Sequence, residues 1–354
     1  MPDYSKENPY SIIFGREPHM VINRDEEAKS IIKAFSQDIP SQQAYMITGI
    51  RGSGKTVFMS DISDYFSKQK DWICVELSAD RDMLQSLAAK LTSDNALARL
   101  FKSANINLSL FGIGLTVTGS VPISDIETAL SRMLESIKKK GKHVLICIDE
   151  VIPNENLKVF CSSFQIFVRH HLPVFMLMTG LYENIEALQN TPNLTFLYRA
   201  TRVTMNPLNQ FTIADSYKDT FENSREDAVK MAAWTKGYPF AFQVLGYHTW
   251  ENQGDFNKAF DEAYRYLAEY SYMKIFSGLS AKDRDVVFAI ASSKTNQNKE
   301  IREKLSWSTN QYNPYRMRLI RKGLIDGEKY GYVYFTLPEF GQFILEYSAM
   351  LNAE

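Results

Sequence analysis

Apolar residues recur along the chain in two rhythms. Four short stretches are almost unbroken: "AYMIT" (44–48), "WICVELS" (72–78), Val144 to Ile148 within "HVLICIDEV", and "PVFMLMTGL" (173–181). Uninterrupted apolar runs of this length, rich in β-branched and aromatic residues, predict strands covered on both faces, as in a parallel sheet. A later strand is expected within "FLYRATRVTMNPL" (196–208). Between them the apolar positions fall at helical spacing, in "VFMSDISDYFSK", "DMLQSLAAKLTSDNALARLFK", "ISDIETALSRMLESIKKK" and "FCSSFQIFVRHH". Alternating strands and helices of this kind predict an α/β domain. One stretch, "INLSLFGIGLTVTG" (106–119), alternates roughly and carries glycines, which predicts an inserted β-hairpin.

From about Asn209 the rhythm is helical: "NQFTIADSYKDTFE", "SREDAVKMAAWTKG", "PFAFQVLGYHTW" and "FNKAFDEAYRYLAEY". The break at Gly237–Pro239 fits a proline in the first turn of a new helix. The tail predicts three helices, "AKDRDVVFAIASS", "NKEIREKLSWS" and one beginning near Asn313 in "NPYRMRLIRKGLI". A turn, a strand "YVYFTL" and a closing helix follow, the order of a winged-helix domain. The expected division is a core over 1–208, a helical lid over 209–275 and a winged helix over 276–354.

At 354 residues, with 45 % apolar and 23 % charged residues, the chain has the balance of a globular protein of two or three domains. Its formal charge of -1 excludes a globally basic nucleic-acid binder and leaves room for a local basic patch. No apolar run reaches the length of a membrane helix, and the N-terminus lacks the pattern of a secretory signal. Cys74, Cys147 and Cys161 suit neither a disulfide scaffold nor a metal site. A cytoplasmic protein with no membrane partner is the expectation.

The first apolar run leads into G-x-x-x-x-G-K-[ST], filled by Gly49, Ile50, Arg51, Gly52, Ser53, Gly54, Lys55 and Thr56, with Val57 opening the helix. In this strand–loop–helix context the glycines let backbone N–H groups turn toward phosphate oxygens. Lys55 is placed to reach the β- and γ-phosphates, and the Thr56 hydroxyl to join a Mg²⁺ shell. Ninety-four residues after Lys55, Asp149 and Glu150 close the strand of "HVLICIDEV" at the sheet end where ligands bind. Asp149 is the candidate for Mg²⁺, and Glu150 for polarising the water that attacks the γ-phosphate. This pair points to nucleotide hydrolysis rather than nucleotide binding alone. Thr179 is a candidate for sensing the γ-phosphate or positioning water, against the plain reading of a threonine that ends a strand. Arg199 and Arg202 are candidates for neutralising transition-state charge, in this subunit or a neighbour, against ordinary structural arginines.

The third helix of the tail carries Arg316, Arg318, Arg321 and Lys322, and residues 301–330 hold seven basic against three acidic side chains. Two partners stay open. The helix is suited to a major groove of duplex DNA, its charges meeting phosphates. Alternatively the charges are a solvated face, and Tyr312 and Tyr315 belong to a protein-docking patch.

Together "NPY…FGREPHMVINRDEE", "GIRGSGKT", "ICIDEV", "LPVFMLMTGL", "GYPFAFQVLGYHTW" and "YRMRLIRKGLI…VYFTLP" resemble the bacterial AAA-type ATP-binding proteins of the STAND and archaeal-ATPase grouping. These are related in architecture to the origin-recognition ATPases. The resemblance covers nearly the whole chain. It implies an ASCE-type core of five parallel strands, a helical lid and a C-terminal winged helix. It also implies adenine contacts at Val21, Ile22 and Arg24, and a helix N-terminus at Pro239 that approaches the phosphates. The lid has "GYPF" where ring ATPases place a basic sensor, which favours a slowly hydrolysing switch, with nucleotide-dependent self-association open.

Overall fold

A computed structural model describes residues 2–13 and 18–351; Phe14 to Glu17 of the N-terminal resemblance segment lie outside the described residues. Two compact units divide the chain: Arg24–Thr48 with Lys55–Thr204, and Met1–Asn23 with Gly49–Gly54 and Met205–Glu354. Among the described residues no helix is long and apolar enough to cross a membrane.

The first unit runs α1 (Asp25–Phe35), β1 (Ala44–Thr48), α2 (Lys55–Ser67), β2 (Trp72–Leu77), α3 (Met83–Ser93), α4 (Asn95–Ser103), α5 (Ile126–Lys138), β3 (His143–Ile148), α6 (Glu155–Arg169), β4 (Val174–Gly180), α7 (Tyr182–Gln189) and β5 (Thr201–Thr204). Its five strands are all parallel, in the order β2-β3-β4-β1-β5. Side chains alternate across the sheet with period two. One face sends Met46, Val75, Val144, Ile146, Val174 and Met176 into a core shared with α3, α5 and α6. On the other face Tyr45 and Phe175 meet an aromatic cluster with Phe35 of α1 and Phe66 of α2, joined by Trp72. Burial on both faces is why β1, β3 and β4 read as apolar runs, whereas the edge strand β2 exposes Glu76.

The stretch expected to form a hairpin, 106–119, holds no strand. Ile106, Leu108, Ile113 and Leu115 are buried and plug the core next to α4 and α5. One bond of hairpin type remains, from the Leu108 N–H to the Leu115 carbonyl at 2.8 Å. Buried Asn107 replaces the rest by donating to the Ser120 carbonyl at 3.1 Å. The alternation marks inward side chains, not strand pairing. The stretch "DMLQSLAAKLTSDNALARLFK" is helical as expected, and Asp94 divides it into α3 and α4. Asp94 is extended and its carboxylate accepts from the N–H groups of Ala96 and Leu97, both at 2.8 Å, starting a new helix.

The second unit continues with α8 (Gln210–Phe221), α9 (Arg225–Thr235), α10 (Pro239–Glu251) and α11 (Phe256–Leu267). A π-helical turn (Ala268–Tyr272) leads into α12 (Met273–Ser277). Then come α13 (Ala281–Ala291), α14 (Asn298–Leu305), α15 (Thr309–Arg321), the two-stranded antiparallel ribbon β6 (Ile325–Asp326) and β7 (Tyr334–Phe335), and α16 (Phe340–Leu351). The N-terminal segment belongs here through Tyr10, which stacks on Phe221 with ring centroids 5.7 Å apart. A Cβ on Gly246 of α10 would lie 2.4 Å from the Tyr10 ring, so glycine is what admits it.

Helix α15 begins earlier than expected. Ser308 and Gln311 form a reciprocal capping box, which starts the helix at Thr309 and leaves Pro314 inside it rather than in the first turn. Of the expected strand "YVYFTL", Tyr334 and Phe335 form β7 and pair with β6, and Tyr332 makes an isolated antiparallel bridge with Gln297.

Candidate functional site

The motif Gly49–Thr56 connects β1 to α2, and its glycines fold it back. Gly52 and Gly54 have φ of +75° and +84°, in the left-handed region that side chains disfavour. A Cβ at Gly52 would also lie 2.4 Å from the Tyr238 hydroxyl and 2.9 Å from the Phe240 Cβ. Gly49 is equally confined, since a Cβ there would meet the Ser53 hydroxyl at 2.4 Å. Ser53 is buried, with its N–H bonded to the Ile50 carbonyl at 3.2 Å.

Two carbonyls of this loop are held by the start of α10. The Tyr238 hydroxyl donates to the Arg51 carbonyl at 2.8 Å, and the Phe240 N–H donates to the Gly52 carbonyl at 3.2 Å. Carbonyls tied back in this way do not compete with a phosphate for the loop's amides, the polarity that anion binding needs. Pro239, at the first position of α10, contributes no N–H, so the first amide this helix end offers is that of Phe240, which Gly52 uses. Tyr238 also meets the Ser271 hydroxyl of the π-helical turn at 2.9 Å. Because the phenol proton goes to Arg51, Ser271 is the donor of that pair. Burial raises the Tyr238 pKa, which keeps the phenol a donor at any physiological pH. Next along the turn, the Tyr272 hydroxyl donates to the Pro338 carbonyl, 2.5 Å away, just before α16.

Replacing Tyr238 by Phe removes both hydroxyl bonds and keeps the ring. We expect about 1–2 kcal/mol of lost stability from two unmet buried groups, together with weaker nucleotide binding. Thermal melts with and without Mg²⁺–ATP measure both effects, and a variant that melts and binds like the parent would refute the assigned role.

The carboxylate half of the motif is built in the first unit. In the register of β3 on β4, Ile148 pairs with Met178, which sets Asp149 beside Thr179. Asp149 uses both oxygens. Its Oδ2 accepts from the Thr56 hydroxyl at 2.9 Å, and its Oδ1 accepts from the Thr179 hydroxyl and, at 3.0 Å, from the Glu150 N–H. That N–H is shared with the Thr179 oxygen at 3.0 Å. Glu150 has a φ of +49° and is exposed, a backbone held in place by these bonds. Thr179 is fully buried, and its hydroxyl proton is given to Asp149, so it acts through the carboxylate. Lys55 is buried at the first position of α2. Thr56 and Val57 follow it, exposed and half-buried. A hydroxyl and a carboxylate side by side are hard oxygen donors of the kind Mg²⁺ takes, with phosphates and waters completing its shell.

The other expected residues are more scattered. Val21 and Ile22 are half-buried, and Ile22 packs on the core of the second unit. Arg24 precedes α1, and burial lowers its pKa while Glu27 opposes the shift. Arg202 donates to Gln189 and lies over the Tyr182 ring at 5.0 Å, a structural arginine. Arg199 is exposed and precedes the N-terminal end of β5. Thr204, the other end of β5, pairs with Thr48, which leads into the phosphate loop. Three strand steps, roughly 10 Å, separate Thr201 from Thr204, so Arg199 is at the far end of the sheet from the motif.

On α15, Arg318 donates to Asp283 Oδ1 from Nε at 2.9 Å and from a terminal nitrogen at 2.6 Å. Arg316 donates to the Gly327 carbonyl at 3.1 Å. Both guanidinium groups are therefore engaged within the second unit. Arg321 is exposed and Lys322 half-buried. Tyr312 is buried and Tyr315 half-buried.

Sequence reasoning does not single out Tyr238, Ser271 or Gln243. Gln243 donates to the Met20 carbonyl at 2.6 Å and accepts from the Ser11 N–H at 3.2 Å, fixing the N-terminal segment to α10. Tyr238 has a signal, its place directly before Pro239; the other two act over separations that no local pattern reveals.

Residues 270–344 match a family described as a domain of unknown function, DUF8462. None of the curated proteins matches the sequence. Among solved structures, a Walker-type ATPase of Pyrococcus abyssi is similar at 16 % identity and a TM-score of 0.65, covering 92 % of this chain and 96 % of that one. The ORC2 protein of Aeropyrum pernix in its ADP form is similar at 13 % identity and a TM-score of 0.50, covering 96 % of this chain and 97 % of that one. The chain has the P-loop ATPase fold of these proteins, with its five-stranded parallel sheet.

Proposed function

We propose that this chain is an ATP-binding, slowly hydrolysing switch whose C-terminal winged helix docks on a protein partner. The observation that carries the nucleotide reading is the bonded set Thr56–Asp149–Thr179–Glu150 at the end of the Gly49–Thr56 motif. The loop amides and Lys55 would hold the phosphates, and Glu150 would orient the attacking water. Mg²⁺, held by Thr56 and Asp149, would neutralise charge on the phosphate oxygens when bound. Val21, Ile22 and Arg24 would border the adenine. Arg199 would serve a γ-phosphate only from a neighbouring copy, which links hydrolysis to self-association.

A protein partner is favoured over duplex DNA at the winged helix because Arg316 and Arg318 are engaged internally. The same module exposes Phe288, Met317 and Tyr330, with Tyr330 97 % exposed. Apolar and aromatic exposure of this kind suits a protein interface.

The test is nucleotide binding and phosphate release by the purified full chain with Mg²⁺–ATP. Lys55→Ala should abolish binding. Glu150→Gln should keep binding and lower turnover about 10²-fold or more, the scale of losing a positioned catalytic base. Absence of nucleotide binding by the parent chain would end the proposal. Hydrolysis unaffected by Glu150→Gln would remove Glu150 from its role.

A further inference from the structure

The chain is nearly neutral overall, yet its cations are unevenly placed. In a parallel sheet all loops entering the strands gather at one end, opposite the end where β1 and β3 deliver the phosphate loop and Asp149. Strands β2, β3 and β4 are neighbours. The segments entering them read "SKQKD" (67–71), "KKKGK" (138–142) and "RHHLP" (169–173). Together they carry seven Lys and Arg residues and two histidines against one carboxylate, Asp71. Lys68, Lys70, Lys138, Lys139, Lys140 and Arg169 are exposed, as are both histidines.

These loops form one surface because their lysines tie them together. The Lys138 ammonium donates to the His171 carbonyl at 2.8 Å, linking the second loop to the third. The Lys142 ammonium donates to the Lys70 carbonyl, linking the second to the first. Beneath them Trp72 stacks on His143 with centroids 4.9 Å apart, and His143 faces Asp71 at 3.9 Å. The three loops are thus bonded to one another, and their one acid, Asp71, faces His143. The adjoining loop before β1 adds Asp38 and no cation, which marks the patch's boundary.

We propose that this end of the sheet binds the phosphodiester backbone of a nucleic acid. Clustered ammonium groups on a fixed surface release counterions from a polyanion, a gain that grows with each phosphate met. Nucleic acid fits better than an anionic bilayer because these three loops themselves expose no large apolar side chain; the exposed Tyr65 and Ile39 lie beside them, in α2 and in the loop before β1. A surface that enters a bilayer interface carries aromatic or aliphatic anchors beside its lysines. Neither nucleotide hydrolysis nor the winged helix is needed for this binding.

The experiment is fluorescence anisotropy of labelled duplex DNA, duplex RNA and single strands with the full chain, at several salt concentrations. The variant is Lys68→Gln/Lys139→Gln/Lys140→Gln, which leaves the loop-tying Lys138 and Lys142 in place. The control is Arg321→Gln/Lys322→Gln on α15. With four phosphates met, affinity should fall about 10²-fold between roughly 50 and 200 mM salt. The triple variant should bind at least about tenfold more weakly, with a salt slope smaller by about 2.7, while the control binds like the parent. The arm that binds identifies DNA or RNA as the source of the phosphodiester. Thermal melts establish that the triple variant is folded. No binding to any arm at low salt overturns the proposal. So does binding that the triple variant keeps, or binding to phosphatidylserine vesicles with none to nucleic acid.

Discussion

Asp149→Asn should lower phosphate release by roughly 10²–10³-fold, the scale of removing one positioned electrostatic group from a reacting centre, while the fold survives. The side chain has the same shape, but the carboxylate accepts at both oxygens. The amide must present its NH₂ group to one side. Toward Thr179 and the Glu150 N–H it would oppose two donors, so the NH₂ group faces Thr56. The Thr56 hydroxyl must then accept instead of donate, which turns its lone pair away from a cation, and the negative charge is lost as well. The measurement is steady-state phosphate release at saturating ATP, titrated with Mg²⁺. A higher Mg²⁺ requirement with unchanged thermal stability is expected. Turnover within about threefold of the parent, a small part of the effect of such a group, would mean that this carboxylate is not part of the reacting centre.

The parts of the fold legible in the sequence are those whose cause is local. The four apolar runs form β1 to β4; β1, β3 and β4 are buried almost throughout, and only β2, at the sheet edge, exposes a charged side chain, Glu76. The glycines of the phosphate loop are legible because two of them require positive φ. Pro239 marks the start of α10 for a similar reason. The segment at 106–119 shows the limit of periodicity: alternation says which side chains point inward, not whether the backbone pairs.

The site is legible by residue and less so by role. Thr179 stands out as a candidate, but its bond to Asp149 depends on the β3–β4 register across thirty residues. The basic residues of α15 are equally visible, while the acceptor for Arg318 lies thirty-five residues earlier in α13. A sequence displays a charge and hides its partner. The basic end of the sheet is the opposite case, because only the strand order brings its three loops together.

Arg318→Ala should destabilise the chain by about 3 kcal/mol, the cost of leaving a buried carboxylate without its cation. Asp283 is 2 % exposed and accepts two bonds from Arg318. Its other oxygen accepts from the Ser280 hydroxyl at 2.8 Å, and the first turn of α13 offers a further favourable field. Those remaining partners are why the loss is put at the low end of the range for such pairs. Arg318 also covers the Tyr315 ring at 4.9 Å, and truncation uncovers that ring. For a unit of this size the loss corresponds to a melting temperature lower by about 6–12 °C. Differential scanning calorimetry of Arg318→Ala, Asp283→Ala and the double variant measures the coupling. The double variant should lose less than the sum of the two single ones, because removing Asp283 also removes the stranded charge. Strict additivity, or a melting temperature unmoved by Arg318→Ala, would show that the pair contributes nothing to stability. Loss of duplex DNA affinity in that same unperturbed variant would return Arg318 to the role of a phosphate contact.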